Sequence, residues 1–370
     1  MDDVIILGGG VIGLSLAYEL AYRGDTVRLI DRAEPGREAS WAGAGILPPG
    51  NRRTAEHAYD QLAGLSHELH PRWAERLREE TGIDTGYRRT GGLCLASDAA
   101  AAADLNAAAA EYRRREIAVE EIDPSRLAEL EPALAADGDT SRFHAALRIA
   151  DEAQIRNPRH LKALISACQR RGVRIDRGAA AEALIVEGER IVGVRTSSTV
   201  LTAGKYCLAC GPWSGALLAP LGIALAAKPV RGQMVLLDAA GKPPRHILNE
   251  GARYIVPRDD GRVLVGSTEE DAGFDKRPTS TGVAELLRFA LALAPGLADA
   301  AIERCWAGLR PGTADRLPYL GPIPGLKNGF IATGHFRSGL HLSTGTAVAI
   351  AELIRGETPQ IDLQPFAVDR

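Results

Sequence analysis

The chain has 370 residues, more than one ordinary core requires, so the length predicts two domains or one large α/β unit with an inserted layer. Hydrophobic residues at 45% and charged residues at 25% describe a soluble globular chain and exclude a disordered, collagen-like or disulfide-scaffold protein. With 44 Lys+Arg against 47 Asp+Glu the net charge is −3, which gives no electrostatic case for nucleic acid or an anionic membrane as the main partner.

Val4 to Leu7 reads as a buried strand, an apolar run with no alternation. Gly8-Gly9-Gly10 follows, then helical apolar spacing from Val11 to Arg23, stopped by Gly24. Thr26 to Ile30 is a second buried strand that ends at Asp31. Arg37 to Gly50 reads as loop leading to a short helix, Ala58 to Thr81 as a helix stopped by Gly82, and Ser97 to Arg115 as an Ala-rich helix. A short helix is expected within Asp123 to Leu134, and a longer one from Asn157 to Arg171, ended by Gly172. Val173 to Ile175 is a strand, and Ala183 to Val186 with Ile191 to Thr196 flank Glu187-Gly188-Glu189 as a hairpin. Tyr206 to Ala209 is another buried strand. Pro229 to Leu237, Ala252 to Pro257 and Arg262 to Gly266 predict an antiparallel sheet. Thr281 to Ala294 is a helix, Cys305 to Leu309 and Phe330 to Thr333 are strands, and a helix follows Gly339 and runs to Ile354. Strand–glycine–helix units therefore stand at both ends, with antiparallel strands between them: a nucleotide-binding domain interrupted by a second domain.

Gly8-x-Gly10-x-x-Gly13 lies between strand and helix, which is the context that gives this pattern meaning. The first glycine makes the tight turn, the second lets backbone approach a pyrophosphate, and the third lets the helix pack on the strand. The helix N-terminus offers free N–H groups and a positive dipole end to phosphates. Asp31 ends the second strand, where a carboxylate accepts from ribose hydroxyls. The loop predicts a dinucleotide but does not separate NAD from FAD.

Three further segments make that choice. They are Tyr254-Ile255-Val256-Pro257-Arg258, Trp306-Ala307-Gly308-Leu309-Arg310-Pro311-Gly312-Thr313 and Gly334-His335-Phe336-Arg337-Ser338-Gly339. With Arg37 to Leu47 and Leu208 to Ser214, they resemble the D-amino-acid oxidase family of flavoproteins, its glycine oxidases most closely, over nearly the whole length. The resemblance implies an α/β fold: a Rossmann-like FAD-binding domain with an inserted α+β substrate domain on a mostly antiparallel sheet. The FAD-binding domain is expected to be discontinuous (residues 1–85, 155–227 and 305–370), with the substrate domain in 86–154 and 228–304.

By the same resemblance Val11, Ile12, Asp31 and Arg32 face the adenosine half of FAD, with Gly8, Gly10 and Gly13 also in the cofactor set. Ala39, Ser40, Ala44, Gly45 and Ile46 run along the pyrophosphate and flavin, with Gly211 also in the cofactor set. Ala181 meets the adenine by its backbone, and His335, Phe336, Arg337, Ser338, Gly339, Leu340 and His341 wrap the isoalloxazine ring. A helix entering after a glycine turn there would aim its dipole at the ring. Arg310 offers the planar, permanently charged fork that suits a carboxylate, and the resemblance gives it the substrate carboxylate, with Tyr254 donating a second hydrogen bond. For Arg337 two roles stand open: its backbone carbonyl accepting from the substrate amine, or its side chain gating the pocket. No general base is assigned, because a neutral amine held over flavin N5 needs only orientation and a dry pocket.

The implied reaction is oxidative deamination of glycine, sarcosine or a small D-amino acid, with molecular oxygen as acceptor and a place in thiamine biosynthesis. A dehydrogenase passing electrons to a quinone is the alternative; a flavin-binding assembly factor without turnover and a nicotinamide dehydrogenase are more distant. The stretch Asn249 to Arg253 places small residues where glycine oxidases carry aromatic and His side chains, and Ile46 and Glu269 stand where some relatives have Met, so the substrate ranking stays open. Cys305 matches in place the cysteine that tethers FAD in sarcosine oxidase relatives, which raises a flavin thioether as a hypothesis. Cys207-x-x-Cys210 lies at a strand with no second pair, and no metal is expected. Five scattered cysteines, acid at Asp2-Asp3 in place of a basic leader, and no run near about 20 apolar residues predict a cytoplasmic protein without a membrane span. Relatives imply a homo-oligomer, though no surface reads as an interface.

Overall fold

A computed structural model of the chain describes residues 2–135, 139–239 and 243–370. β1 (Asp2–Leu7) is buried along most of its length, as an unalternating apolar run requires. α1 (Val11–Tyr22) is buried on every face from Val11 to Leu20, so it is a core helix. β2 (Val27–Asp31) runs parallel to β1, with Val4 opposite Val27. α2 (Ala39–Ala42) and β3 (Ile46–Leu47) are single-turn and two-residue pieces. α3 (Ala58–Thr81) ends at Gly82, whose φ of +73° is the left-handed cap that glycine takes without a Cβ penalty.

β4 (Gly92–Ala96), β5 (Val119–Ile122), β6 (Ala145–Ile149) and β7 (Ala153–Gln154) are not legible in the sequence pattern. They are short; Val-Glu-Glu-Ile does not alternate, and Ala-Ala-Leu-Arg-Ile has a single β-branched residue. α4 (Ala99–Arg114), α5 (Leu127–Leu130) and α6 (Asn157–Arg170) lie where helical spacing puts them. β8 (Arg174–Arg177), β9 (Ala183–Glu187), β10 (Arg190–Arg195), β11 (Val200–Leu201) and β12 (Ala203–Leu208) follow, then α7 (Ser214–Leu218). The antiparallel run comprises β13 (Ala227–Asp238), β14 (Ile247–Glu250), β15 (Arg253–Pro257) and β16 (Arg262–Gly266). α8 (Ser280–Leu293), β17 (Ala301–Thr313), β18 (Tyr319–Pro322), β19 (Gly329–Thr333) and α9 (Ser343–Arg355) complete the order.

Two large sheets result. The first, in order β18-β19-β12-β1-β2-β8, is parallel except at its β18 edge. One face packs on α1, α3, α6 and α9 through Ile6, Leu29 and Cys207; the other meets the small β9–β11 sheet through Ile5, Leu7 and Tyr206. The second sheet, β17-β13-β16-β15-β14-β4-β6-β5, is antiparallel apart from the β14–β4 pair. Its outer face buries Val235, Val263 and Ile255 under α8, while Met234, Leu264 and Val256 face inward with Ala44. This is the α/β arrangement of a mixed cofactor sheet beside a mostly antiparallel sheet. β13 and β17 run without a break through the boundaries expected at 227/228 and 304/305, so residues 305–313 stand in the antiparallel sheet.

Candidate active site

A cavity of about 730 Å³ lies between the sheets, with walls from the glycine loop, α2, the β14–β15 hairpin, β17 and the segment before α9. At its N-terminal end Gly8 has φ +105°, and a Cβ there would lie 2.5 Å from the Ala209 carbonyl oxygen. Gly13 does not line the cavity: it sits beneath, where a Cβ would overlap the Gly8 carbonyl. The missing side chain lets α1 pack on the turn. The Val11 N–H donates to Ser40 Oγ at 2.9 Å. Gly10 and Ile12 line the cavity, and their N–H groups have no partner among the described residues. Asp31 lines the wall too, its two carboxylate oxygens accepting from the N–H groups of Gly9 (2.7 Å) and Ala33 (2.8 Å). Arg32 stacks over the Trp213 ring at 3.7 Å, beside Ala181 and Gly211.

The middle wall is Ala39, Ser40, Ala44, Gly45 and Ile46. Here the structure adds fasteners that the pattern did not expose. Trp306 Nε1 donates to Ala42 O at 3.1 Å, and Asn157 Nδ2 to Ser40 O at 2.8 Å. Arg258 donates to Ala44 O (2.6 Å), Gln154 Oε1 (2.6 Å) and Ile155 O (3.3 Å). Burial pushes the Arg258 guanidinium down to about 10, which leaves it charged at neutral pH.

The C-terminal wall differs from the expected helix entry. Phe336–Ser338 is a single 3₁₀ turn, and α9 starts only at Ser343, because residues 339–342 form a turn instead of helix. The helix terminus is thus set back from Gly339, and individual amides replace it. The N–H groups of Gly339, Leu340 and His341 have no partner among the described residues, and all three residues line the cavity. His335 and His341 are each held down to about 3 by burial, so both rings are neutral. Unpaired backbone donors, a turn that only glycine fits, and neutral walls match a dinucleotide with a flavin ring.

Arg310, Tyr254 and Arg337 meet at the far side. Arg310 Nη1 donates to Thr268 O at 3.1 Å and Nη2 to Ser267 Oγ at 2.7 Å. Arg310 is partly buried; burial pushes its pKa down, and the neighbouring Tyr254 acts against that. No carboxylate pairs with it among the described residues. The Tyr254 ring covers Gly266, and its hydroxyl lies 3.6 Å from Met234 Sδ. Arg337 reaches across the rim, donating to Ala252 O at 2.7 Å and pairing with Glu269 at 3.5 Å. The buried Glu152 on the cavity wall went unread in the sequence; it accepts a 2.9 Å hydrogen bond from Asn249, the first residue of the stretch read as shaping the pocket. Glu152 follows a strand the pattern did not show, so nothing placed it here.

The cysteines resolve differently. Cys305 alternates with Trp306 on β17 and packs on the outer face with the α8 core, outside the cavity lining. That geometry removes the thioether hypothesis. Cys207 is in the core and Cys210 lines the cavity with Sγ toward Leu7 O. Among the described residues no group of His, Cys, Asp or Glu is arranged for a metal, and no helix is long and apolar enough to cross a membrane.

A fold of this kind around such a cavity defines a FAD-dependent oxidoreductase. The family described as DAO, FAD dependent oxidoreductase, matches residues 3–353, and the chain belongs to it. The glycine oxidase of Pseudomonas aeruginosa is 38% identical over 368 residues, covering 99% of this chain and 98% of that one. The crystal structure of the glycine oxidase from Geobacillus kaustophilus superposes with a TM-score of 0.93 at 32% identity, covering 100% of this chain and 98% of the other. A bifunctional protein ThiO/ThiG of Trichormus variabilis is 33% identical over 356 residues, 95% of this chain and 52% of the relative. The protein is a glycine oxidase-like amino-acid oxidase, and FAD is its cofactor.

Proposed function

We propose that the protein oxidises glycine or a comparably small amino acid, such as sarcosine or a small D-amino acid. The substrate, oxygen and water give glyoxylate or a keto acid, the amine (ammonia from glycine, methylamine from sarcosine) and hydrogen peroxide. The observation that carries this reading is Arg310: a partly buried cation on the cavity wall whose hydrogen bonds go only to neutral acceptors. A partly buried charge of this kind wants an anion, and a planar fork fits a carboxylate. Tyr254 stands beside it to donate a second hydrogen bond. The Arg337 carbonyl would accept from the amine, while its side chain closes the rim. FAD, when bound, supplies the hydride acceptor. The neutral His335 and His341 add no charge to the wall, and no side chain need take the α-proton. Gly8, Gly10, Val11, Ile12, Asp31, Arg32, Ala181 and Gly211 would hold the adenosine half, Ala39 to Ile46 the middle, and His335 to His341 the ring.

The two sheets would then divide the chain into a cofactor domain and a substrate domain, with residues 305–313 in the second. The likeness to the ThiO/ThiG protein supports a role in thiamine biosynthesis. Five free thiols support a cytoplasmic location, and the family likeness supports a homo-oligomer. The deciding test is anaerobic. Glycine added to the yellow holoenzyme should bleach the visible flavin band, and readmitted oxygen should restore it within the turnover time. A band that persists with glycine, sarcosine and D-alanine removes this reading; bleaching without reoxidation by oxygen turns it to a dehydrogenase.

A further inference from the structure

Resting on the carboxylate grip proposed for Arg310, we infer that Glu152 and Asn249 form a distal subsite for a cationic group at the far end of a longer amino acid. Asn249 on β14 is the cross-strand partner of Tyr254 on β15, so the two side chains share the face that looks into the cavity. Glu152 lies in the turn between β6 and β7, its carboxylate against the bare backbone of Gly92 on β4, the next strand along, where a Cβ would overlap it. Two glycines on one sheet face thus make room for two charges of opposite sign, Arg310 over Gly232 and Glu152 over Gly92.

Glu152 is only 4% exposed and lines the cavity. One oxygen accepts from Asn249; among the described residues no cation or other donor reaches the carboxylate. A buried carboxylate with one neutral partner is poorly compensated and favours a ligand that brings donors or positive charge. Burial raises its pKa to about 7. The groups that face it are Cys94 on β4 and Tyr112 on α4, both pushed up to about 12 and so neutral, with the Asp60–Arg115 pair (2.9 Å) behind Tyr112. Two strand spacings separate Tyr254 on β15 from Gly92 on β4, over which the Glu152 carboxylate lies, about 10 Å across the sheet. A six-bond chain with a hydrogen bond at each end covers that span.

The test uses a matched pair that cannot be oxidised at an α-amine: 6-aminohexanoate and hexanoate, titrated calorimetrically into the holoenzyme. At pH 8.5 the wild type should bind 6-aminohexanoate at least about tenfold more tightly. The preference should shrink toward unity at pH 5.5, as Glu152 takes a proton while the ligand amine stays charged. Glu152→Gln should abolish it at both pH values, and the within-protein ratio cancels any general loss of binding. Equal affinities in the wild type, failure of both acids to bind, or a preference that survives in E152Q would overturn the subsite. Glycine bleaching is read separately: a protein that prefers 6-aminohexanoate yet is not reduced by glycine keeps the subsite and loses the small-substrate reading.

Discussion

Arg310 lies on Gly232, and its terminal nitrogens fill the space where a Cβ would stand. The guanidinium owes its position to the missing side chain as much as to Ser267 and Thr268. Gly232→Ala should therefore act like a lesion of Arg310 while leaving β13 paired with β17 on both sides. We expect KM for glycine to rise about tenfold or more, with a smaller change in kcat. Arg310→Ala removes the charge itself and should lower kcat/KM by roughly 10²–10³, the cost of about 3–4 kcal/mol of charge-assisted binding. Steady-state kinetics on both variants check this; a G232A enzyme with an unchanged KM would show that the guanidinium is held elsewhere.

Runs such as Val4 to Leu7, and the glycine spacing at Gly8, Gly10 and Gly13, are local signals, and the βαβ unit they predict is present. Arg310, Tyr254 and Arg337 were legible as types in motifs, and the fold brings them to one cavity. Glu152 was not legible, because only the β14–β4–β6 pairing brings it beside Asn249 and β4 and β6 give weak local signals. The helix entry at Gly339 was misread for a related reason: a turn before α9 and a helix N-terminus look alike in sequence.

Arg258 ties three separate segments together by donating to Ala44 O, Gln154 Oε1 and Ile155 O. Bonds from a buried cation are each worth about 1.5–3 kcal/mol. Arg258→Met should lower the thermal midpoint and loosen FAD, since Ala44 lies on the cavity wall. The ratio of visible to ultraviolet absorbance after gel filtration should fall, and added FAD should partly restore the midpoint. Arg258→Lys, which keeps the charge but not the fork, should fall between. A Met variant that unfolds and retains flavin like the wild type would refute this role.

Strand alternation turns Cys305 away from the inward face on which Trp306 packs, toward the core under α8. A thioether to the cofactor would require that strand to flip one residue, which would send its whole apolar set to the wrong face. Acid precipitation of the yellow protein should therefore leave all colour in the supernatant. Cys305→Ser should bind FAD as the wild type does. Flavin retained in the pellet would contradict the register.

Acid should destabilise this protein early, and the sign follows from four buried histidines. Burial holds His70 at about 4 and His160, His335 and His341 at about 3, below their ordinary 6.5. Neither ring nitrogen of His160 has a partner, so nothing inside the fold stabilises its charged form. The unfolded chain takes up these protons first, and the histidines' contribution is complete above pH 6.5 and is lost as pH falls toward 3–4. Glu152 works the other way: raised to about 7 from 4.5, it favours the folded state as pH falls between those values. Three net protons remain in that window, which corresponds to a slope of at most about 4 kcal/mol per pH unit. The thermal midpoint should accordingly drop steeply between pH 6.5 and pH 5, and calorimetry in buffers of different ionisation enthalpy should record proton uptake on unfolding. His160→Gln should flatten the slope by about one proton. A midpoint that holds level from pH 7 to pH 5 would mean that these rings carry their protons inside the fold.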